Sequence, residues 1–276
     1  MTPVLEALPP NIETLKACQK VTWESGDFGR IAKYHMPAAE EFMARLNLRP
    51  GTKVLDAACG TGNLAVLAAR AGCEVAGIDI ASNLIAQART RAMGEGLLIE
   101  FTEGDLEALP YPDASFDAVV SMYGVMFAPR PGQVLSELVR VTKPAGMIAL
   151  ANWTPGGFIG KMFEVFARHL PPPQGVPSPL EWGDEAVVRA RFDGRVGRLR
   201  LARKIARLHY PFPPAGTVDF VRRYYGPTHR AFAALRPTEQ TALHRDLVKL
   251  QTQFNVSAEP FETDTPSEYL EIHAWV

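Results

Sequence analysis

Three acidic residues, each closing an apolar run, are the first chemically suggestive feature of this 276-residue chain. The run "KVLDA" ends in Asp56-Ala57-Ala58-Cys59-Gly60-Thr61-Gly62, a glycine-bearing turn ahead of a helical pattern. At such a seam the free N–H groups of a helix start, and the close backbone approach that glycine permits, favour a nucleotide-like ligand. Asp79 lies 23 residues beyond Asp56 and ends "EVAGID", where a carboxylate accepts hydrogen bonds from two ribose hydroxyls. Asp105 ends a third run, "LLIEFTEGD". A dinucleotide fingerprint asks for an acid at neither Asp56 nor Asp105. Each acid also has a purely structural reading: Asp79 as a cap for the next helix, Asp105 as a turn partner of Gly104. The six histidines (His35, His169, His209, His229, His244, His273) show no pair at metal-ligand spacing, so no metal is expected. Cys18, Cys59 and Cys73 form no CxxC pair, which argues against a disulfide framework or zinc site and fits a reducing cytosol.

The elements that position these acids follow from periodicity. From Gly51 to about Trp153, short apolar runs alternate with helix-length amphipathic segments, which predicts an α/β fold with a mostly parallel sheet. Strands are predicted at "KVLDA", "EVAGID", "LLIEFTEGD", "FDAVVSM" and "GMIALANW". Leu64, Leu67, Ala68 and Ala71 recur at helical spacing with Gly72 as a stop, and Ser82 is the expected N-cap of the following helix. "GFIGKMFEVFARHL" reads as helix and "SEYLEIHAWV" as strand. Residues 196–210 stay ambiguous, because "RLRL" alternates like a strand while "ARKIARL" suits a helix.

Composition narrows the classes of partner. Lys plus Arg total 29 against 30 Asp plus Glu, so the chain lacks the overall charge of a nucleic-acid or membrane-surface binder. Eight basic residues between Arg189 and Arg207 read as a solvated face, with an anionic acceptor or RNA as the alternative. The start "MTPVLEALPPNIETL" lacks the pattern of a signal peptide and no run approaches 18 apolar residues; a cytoplasmic location is expected.

At these residues the chain resembles the class I S-adenosylmethionine-dependent methyltransferases, which have a Rossmann-like seven-stranded sheet with an antiparallel last strand. The motifs are "LDAACGTG", "GIDI", "EGDLEALPYPDASFD" and "RVTKPAGMIAL", in order over roughly 100 residues. The nearest likeness is to the small-molecule enzymes of ubiquinone and menaquinone biosynthesis. Two positions depart from the pattern: Ala58 and Ala145 stand where the family usually carries glycine. A methyl at Ala58 is tolerable if φ is negative, and is expected to turn away from the ligand.

The resemblance implies S-adenosylmethionine as cofactor and assigns residues to it. Asp56 to Gly62, with Ala58 and Gly60 between, would line the methionine moiety, Asp79 would hold the ribose, and Ile80 would pack on the adenine face. Asp105 and Leu106 would read the adenine edge, and Ser121 and Met122 would close the pocket beside the sulfonium. The lid, residues 1–48, would place Trp23, Phe28 and Tyr34 around the cofactor. The core would span residues 49–210 and 261–276, and a helical cap, residues 211–260, would cover the substrate. Tyr123, Met126, Phe127, Trp153, Tyr224 and Tyr225 are the candidate acceptor contacts, suited to a small, partly hydrophobic methyl acceptor rather than nucleic acid or membrane. No catalytic residue is obligatory for in-line displacement; His35 and His229, each near tyrosine, are the candidate bases. "SMYG" replaces the Asn/Asp-Pro-Pro-Tyr signature of base-modifying enzymes. The alternatives are a nicotinamide-dependent oxidoreductase and a non-catalytic S-adenosylmethionine-binding protein.

Overall fold

The computed structural model describes residues 11–276; the first ten residues of the expected lid lie outside the described residues. The chain begins with helices α1 (Ile12–Glu24), α2 (Phe28–Ala32) and α3 (Met36–Leu46), with a 3-10 turn at Lys33–His35 before α3. Then follow β1 (Lys53–Ala57), α4 (Asn63–Arg70), β2 (Glu74–Asp79), α5 (Ser82–Gly94), β3 (Ile99–Glu103), β4 (Phe116–Met122), α6 (Pro131–Val141) and β5 (Thr142–Trp153). The remainder is α7 (Phe158–His169), α8 (Glu185–Phe192), β6 (Arg198–Tyr210), α9 (Pro214–Tyr224), α10 (Gly226–Ala233), α11 (Pro237–Phe254) and β7 (Thr263–Trp275).

One seven-stranded sheet runs β3-β2-β1-β4-β5-β7-β6. Pairings from β3 to β5 are parallel, and β7 is antiparallel to both β5 and β6. Strands β1, β2 and β4 are apolar along nearly their whole length because helices cover both sheet faces. The strand order reverses between β1 and β4, which makes their carboxyl ends a topological switch point, where open α/β sheets bind ligands. All three sequence acids stand on the carboxyl side of that sheet.

Within the ambiguous residues 196–210, Arg198–Tyr210 resolve as strand. β6 pairs with β7 without interruption from Arg198↔Trp275 to Tyr210↔Thr263. Its basic side chains occupy a sheet edge, where charge discourages pairing with another chain. Arg203 meets Glu185 and Glu268, Arg207 meets Asp264, and Arg191 on α8 meets Glu181. A second apolar cluster joins Val165 of α7 to Val218, Phe232, Leu243 and Leu247 of α9, α10 and α11. Helix α7, in the range expected for the core, thus shares its packing with the late helices. No helix among the described residues is long and apolar enough to cross a membrane.

Candidate active site

The glycine turn is built by the two acids beside it. Asp56 Oδ2 accepts the Ala65 N–H at 2.9 Å, and Asp79 Oδ2 accepts the Gly60 N–H at 2.8 Å. Asp79 Oδ1 takes the Ala81 N–H at 2.9 Å, so this carboxylate satisfies orphan amides at the head of α5. Ser82 is not the N-cap: it is the first residue of α5, and its N–H and hydroxyl both go to Glu24 of α1. Helix α1 and the local Asp79 together therefore finish this helix end. Each Asp79 oxygen uses one acceptor direction on backbone, leaving a second for a ligand hydroxyl.

Burial sets the electrostatics here. Desolvation lifts Asp56 to about 7, opposed by the Ala65 hydrogen bond and reinforced by nearby Asp79. Desolvation also raises Asp79, against its hydrogen bonds from the Ala81 and Gly60 amides. Burial pushes the Cys59 thiol well up, which keeps it neutral and unreactive.

Ala58 overturns its sequence expectation. Its φ is +57°, in the left-handed region, and its methyl lies against Gly124, where an added Cβ would collide with it. In this conformation the next residue, Cys59, donates its N–H to the Ile78 carbonyl at 3.0 Å, one strand over. Ala145 has the same conformation, φ +63°. Both family glycines are thus replaced by alanine where glycine would be relaxed. Tyr123, just past β4, is also held at φ +63°, with its ring stacked on Trp153 at 3.7 Å and 12°.

One cavity, open to solvent at its mouth, spans this end of the sheet. Trp23, Phe28, His35, Asp56, Ala58, Gly60, Asp79, Ile80, Asp105, Leu106, Met122, Tyr123, Phe127, Trp153 and Tyr225 all line it. Phe28 sits 3.6 Å from where a Gly60 Cβ would project, covering the turn. Trp23 packs edge-on against Phe28, Phe127 and Tyr225 at 5.7, 4.9 and 5.8 Å.

Six predicted residues lie off the cavity wall. Tyr34 packs on Tyr210 at 4.4 Å and on Phe220. Gly62 is the left-handed N-cap of α4, backed by Phe101 and Ala88. Ser121 is fully buried and donates its hydroxyl to the Ala57 carbonyl at 2.5 Å, stitching β4 to β1. Met126 is buried in the main core. Tyr224 turns to Phe220 and Arg30, and His229 is exposed on α10.

Sequence reasoning also passed over wall residues. Lys16 of α1 contacts Asp105 at 2.6 Å and Glu107 at 2.8 Å. Gln19 donates to the Phe127 carbonyl, and Lys20 meets Glu103. The i, i+4 spacing of Lys16, Lys20 and Glu24 was the available signal for a helix face turned to the strand ends. Asn63 and Leu64 at the start of α4, and Met162, Phe166, Val218, Thr228, Leu247 and Gln251 from the late helices, were also unforeseen.

Residues 55–150 match the family described as "Methyltransferase domain". The YcgJ protein from Bacillus subtilis shares the fold with a TM-score of 0.63 at 17% identity, covering 87% of this chain and 98% of that one. Demethylmenaquinone methyltransferase from Deinococcus radiodurans is 40% identical over 124 residues, 44% of this chain and 52% of that enzyme. With the sheet order and the three strand-end acids, these findings define the class: the chain belongs to the class I S-adenosylmethionine-dependent methyltransferases. Over nearly its whole length it is related to Rv1405c of Mycobacterium tuberculosis, 34% identical over 246 residues, 88% of this chain and 90% of that protein.

Proposed function

We propose that this enzyme binds S-adenosylmethionine in the cavity and directs its methyl group to a small, partly hydrophobic acceptor by in-line displacement. The observation that carries the reading is that Asp56, Asp79 and Asp105, from three strand ends, line one cavity together with an apolar wall from the late helices. The donor set fits the cofactor. Asp79 would hold the ribose with its free acceptor directions, Asp105 and Leu106 the adenine edge, and Gly60, Ala58 and Asp56 the methionine moiety. The cofactor supplies an activated methyl on a sulfonium. The protein's residues align and dry the site, a contribution of roughly 7–11 kcal/mol from orientation.

Trp23, Phe28, Phe127 and Tyr225 exclude water above the turn. His35 is held near 4 by burial and its Nδ1 lacks a partner, so at neutral pH it accepts a hydrogen bond and orients a hydroxyl rather than removing its proton. In this reading the described part of residues 1–48 is the lid and residues 211–260 form the cap. The acceptor is a small molecule rather than nucleic acid, since Arg191, Arg203 and Arg207 in the basic stretch are engaged by carboxylates. The three free cysteines suit a cytoplasmic setting.

Calorimetry with S-adenosylmethionine, S-adenosylhomocysteine and NADH tests this directly. Both sulfur compounds are expected to bind, and Asp79→Ala to weaken them more than about tenfold with the circular dichroism spectrum retained. NADH binding without response to the sulfur compounds would overturn the reading.

A further inference from the structure

The two halves of the cavity differ in charge. Among the described residues, the Lys and Asp side chains on its wall are Lys16, Asp56, Asp79 and Asp105, all from α1 or the ends of β1, β2 and β3. The wall supplied by α7, β6, α9, α10, α11 and β7 holds no Lys, Arg, Asp or Glu. It is made of Phe158, Met162, Phe166, Val218, Leu247 and similar apolar groups.

The polar groups on that half are neutral and mostly satisfied internally. Thr217 Oγ1 meets Thr263 Oγ1 at 3.0 Å, and Gln251 Nε2 donates to Thr265 Oγ1 at 2.5 Å. Burial pushes the phenols of Tyr210 and Tyr225 up, so both stay uncharged. Thr228 is the exception: it is 1% exposed and its Oγ1 is buried without a hydrogen-bond partner. A buried hydroxyl left unpaired is costly unless a ligand completes it.

We infer that this half of the cavity takes an uncharged, mainly apolar acceptor bearing a hydroxyl or carbonyl group that Thr228 hydrogen-bonds, and that it rejects carboxylate, phosphate and ammonium acceptors. The inference rests on the reading of the other half as the S-adenosylmethionine site, and it defines the acceptor class. An ion placed among these side chains sheds its hydration with no opposite charge facing it. The carboxylates at the far end do not compensate, being engaged by the Ala65, Gly60 and Ala81 amides and by Lys16.

The test is calorimetry on the full chain. Titration with S-adenosylhomocysteine alone examines the cofactor reading; absence of binding there would remove both readings together. On the S-adenosylhomocysteine-loaded protein at neutral pH, three matched probes follow: 2-naphthol, 2-naphthoate and 2-naphthylmethylammonium. The naphthol is expected to bind at least about a hundredfold tighter than either ion. Thr228→Val, which keeps the shape, is expected to weaken the naphthol about three- to tenfold while S-adenosylhomocysteine binds as before. Equal affinity for either ion, no naphthol binding to the loaded protein, or an unchanged naphthol affinity in Thr228→Val would each overturn the inference.

Discussion

Asp56 shows how one residue's burial becomes a property of the whole protein. Its folded carboxyl titrates at about 7, above the usual carboxylate value of about 4. Between those values the folded state keeps a proton that the unfolded chain has lost, so stability falls as pH rises and levels off above about 7. The melting temperature of the cofactor-free protein should therefore drop from about pH 5 to about pH 8, and Asp56→Asn should flatten that slope. A slope unchanged in the variant would place the raised titration elsewhere. Ala145 makes a second residue-scale case: it is exposed, at φ +63°, with its N–H donated to the Val276 carbonyl at 2.8 Å. A left-handed non-glycine residue costs about 1–2 kcal/mol, partly offset by glycine's greater unfolded entropy. Ala145→Gly should raise stability by about 0.5–1 kcal/mol, read as an increase in melting temperature.

Helix α1 acts as a unit through one face. Lys16, Lys20 and Glu24 reach, in turn, Asp105 with Glu107, Glu103, and the Ser82–Asn83 head of α5. Lys16 is only 12% exposed and the Glu107 side chain is fully buried, so this contact is screened less than a surface pair. Lys16→Met should weaken S-adenosylhomocysteine binding about three- to tenfold at low salt and reduce its salt dependence. Binding titrations at two ionic strengths decide it; identical behaviour of the two proteins would detach α1 from cofactor retention.

Helix α1 and the late helices α9 and α10 meet at a close seam. Gly226 begins α10 directly against α1, where a Cβ would run into the Thr22 and Ser25 carbonyl oxygens. Asp27 N–H also donates to the Tyr224 carbonyl at 2.9 Å, fastening the same two regions. Gly226→Ala should pry α1 from α10, shift Trp23 away from Tyr225, and weaken S-adenosylhomocysteine binding about tenfold or more, while the sheet retains its circular dichroism signal. Tryptophan emission would report the displaced lid; an unchanged spectrum with full affinity would contradict the seam's role.

Much of this was legible without coordinates, and the reason is local. The alternation of apolar runs with helical periods identified β1 to β5, and the acids at their ends pointed to the ligand edge, because a strand's termination and its following turn depend on neighbours in sequence. The same information could not say that Ser121 stitches β4 to β1, that Met126 enters the core, or that Tyr34 and Tyr224 pack on Phe220. Nor could it orient Ala58, which holds a positive φ with its methyl against Gly124. Sequence by itself determined the class of enzyme and the acid-bearing half of the cavity, which is built from contiguous turns. Only the tertiary structure decided the apolar half, because α7, α9, α10 and α11 are polar and apolar by turns along the chain, and their packing alone selects which face lines the cavity.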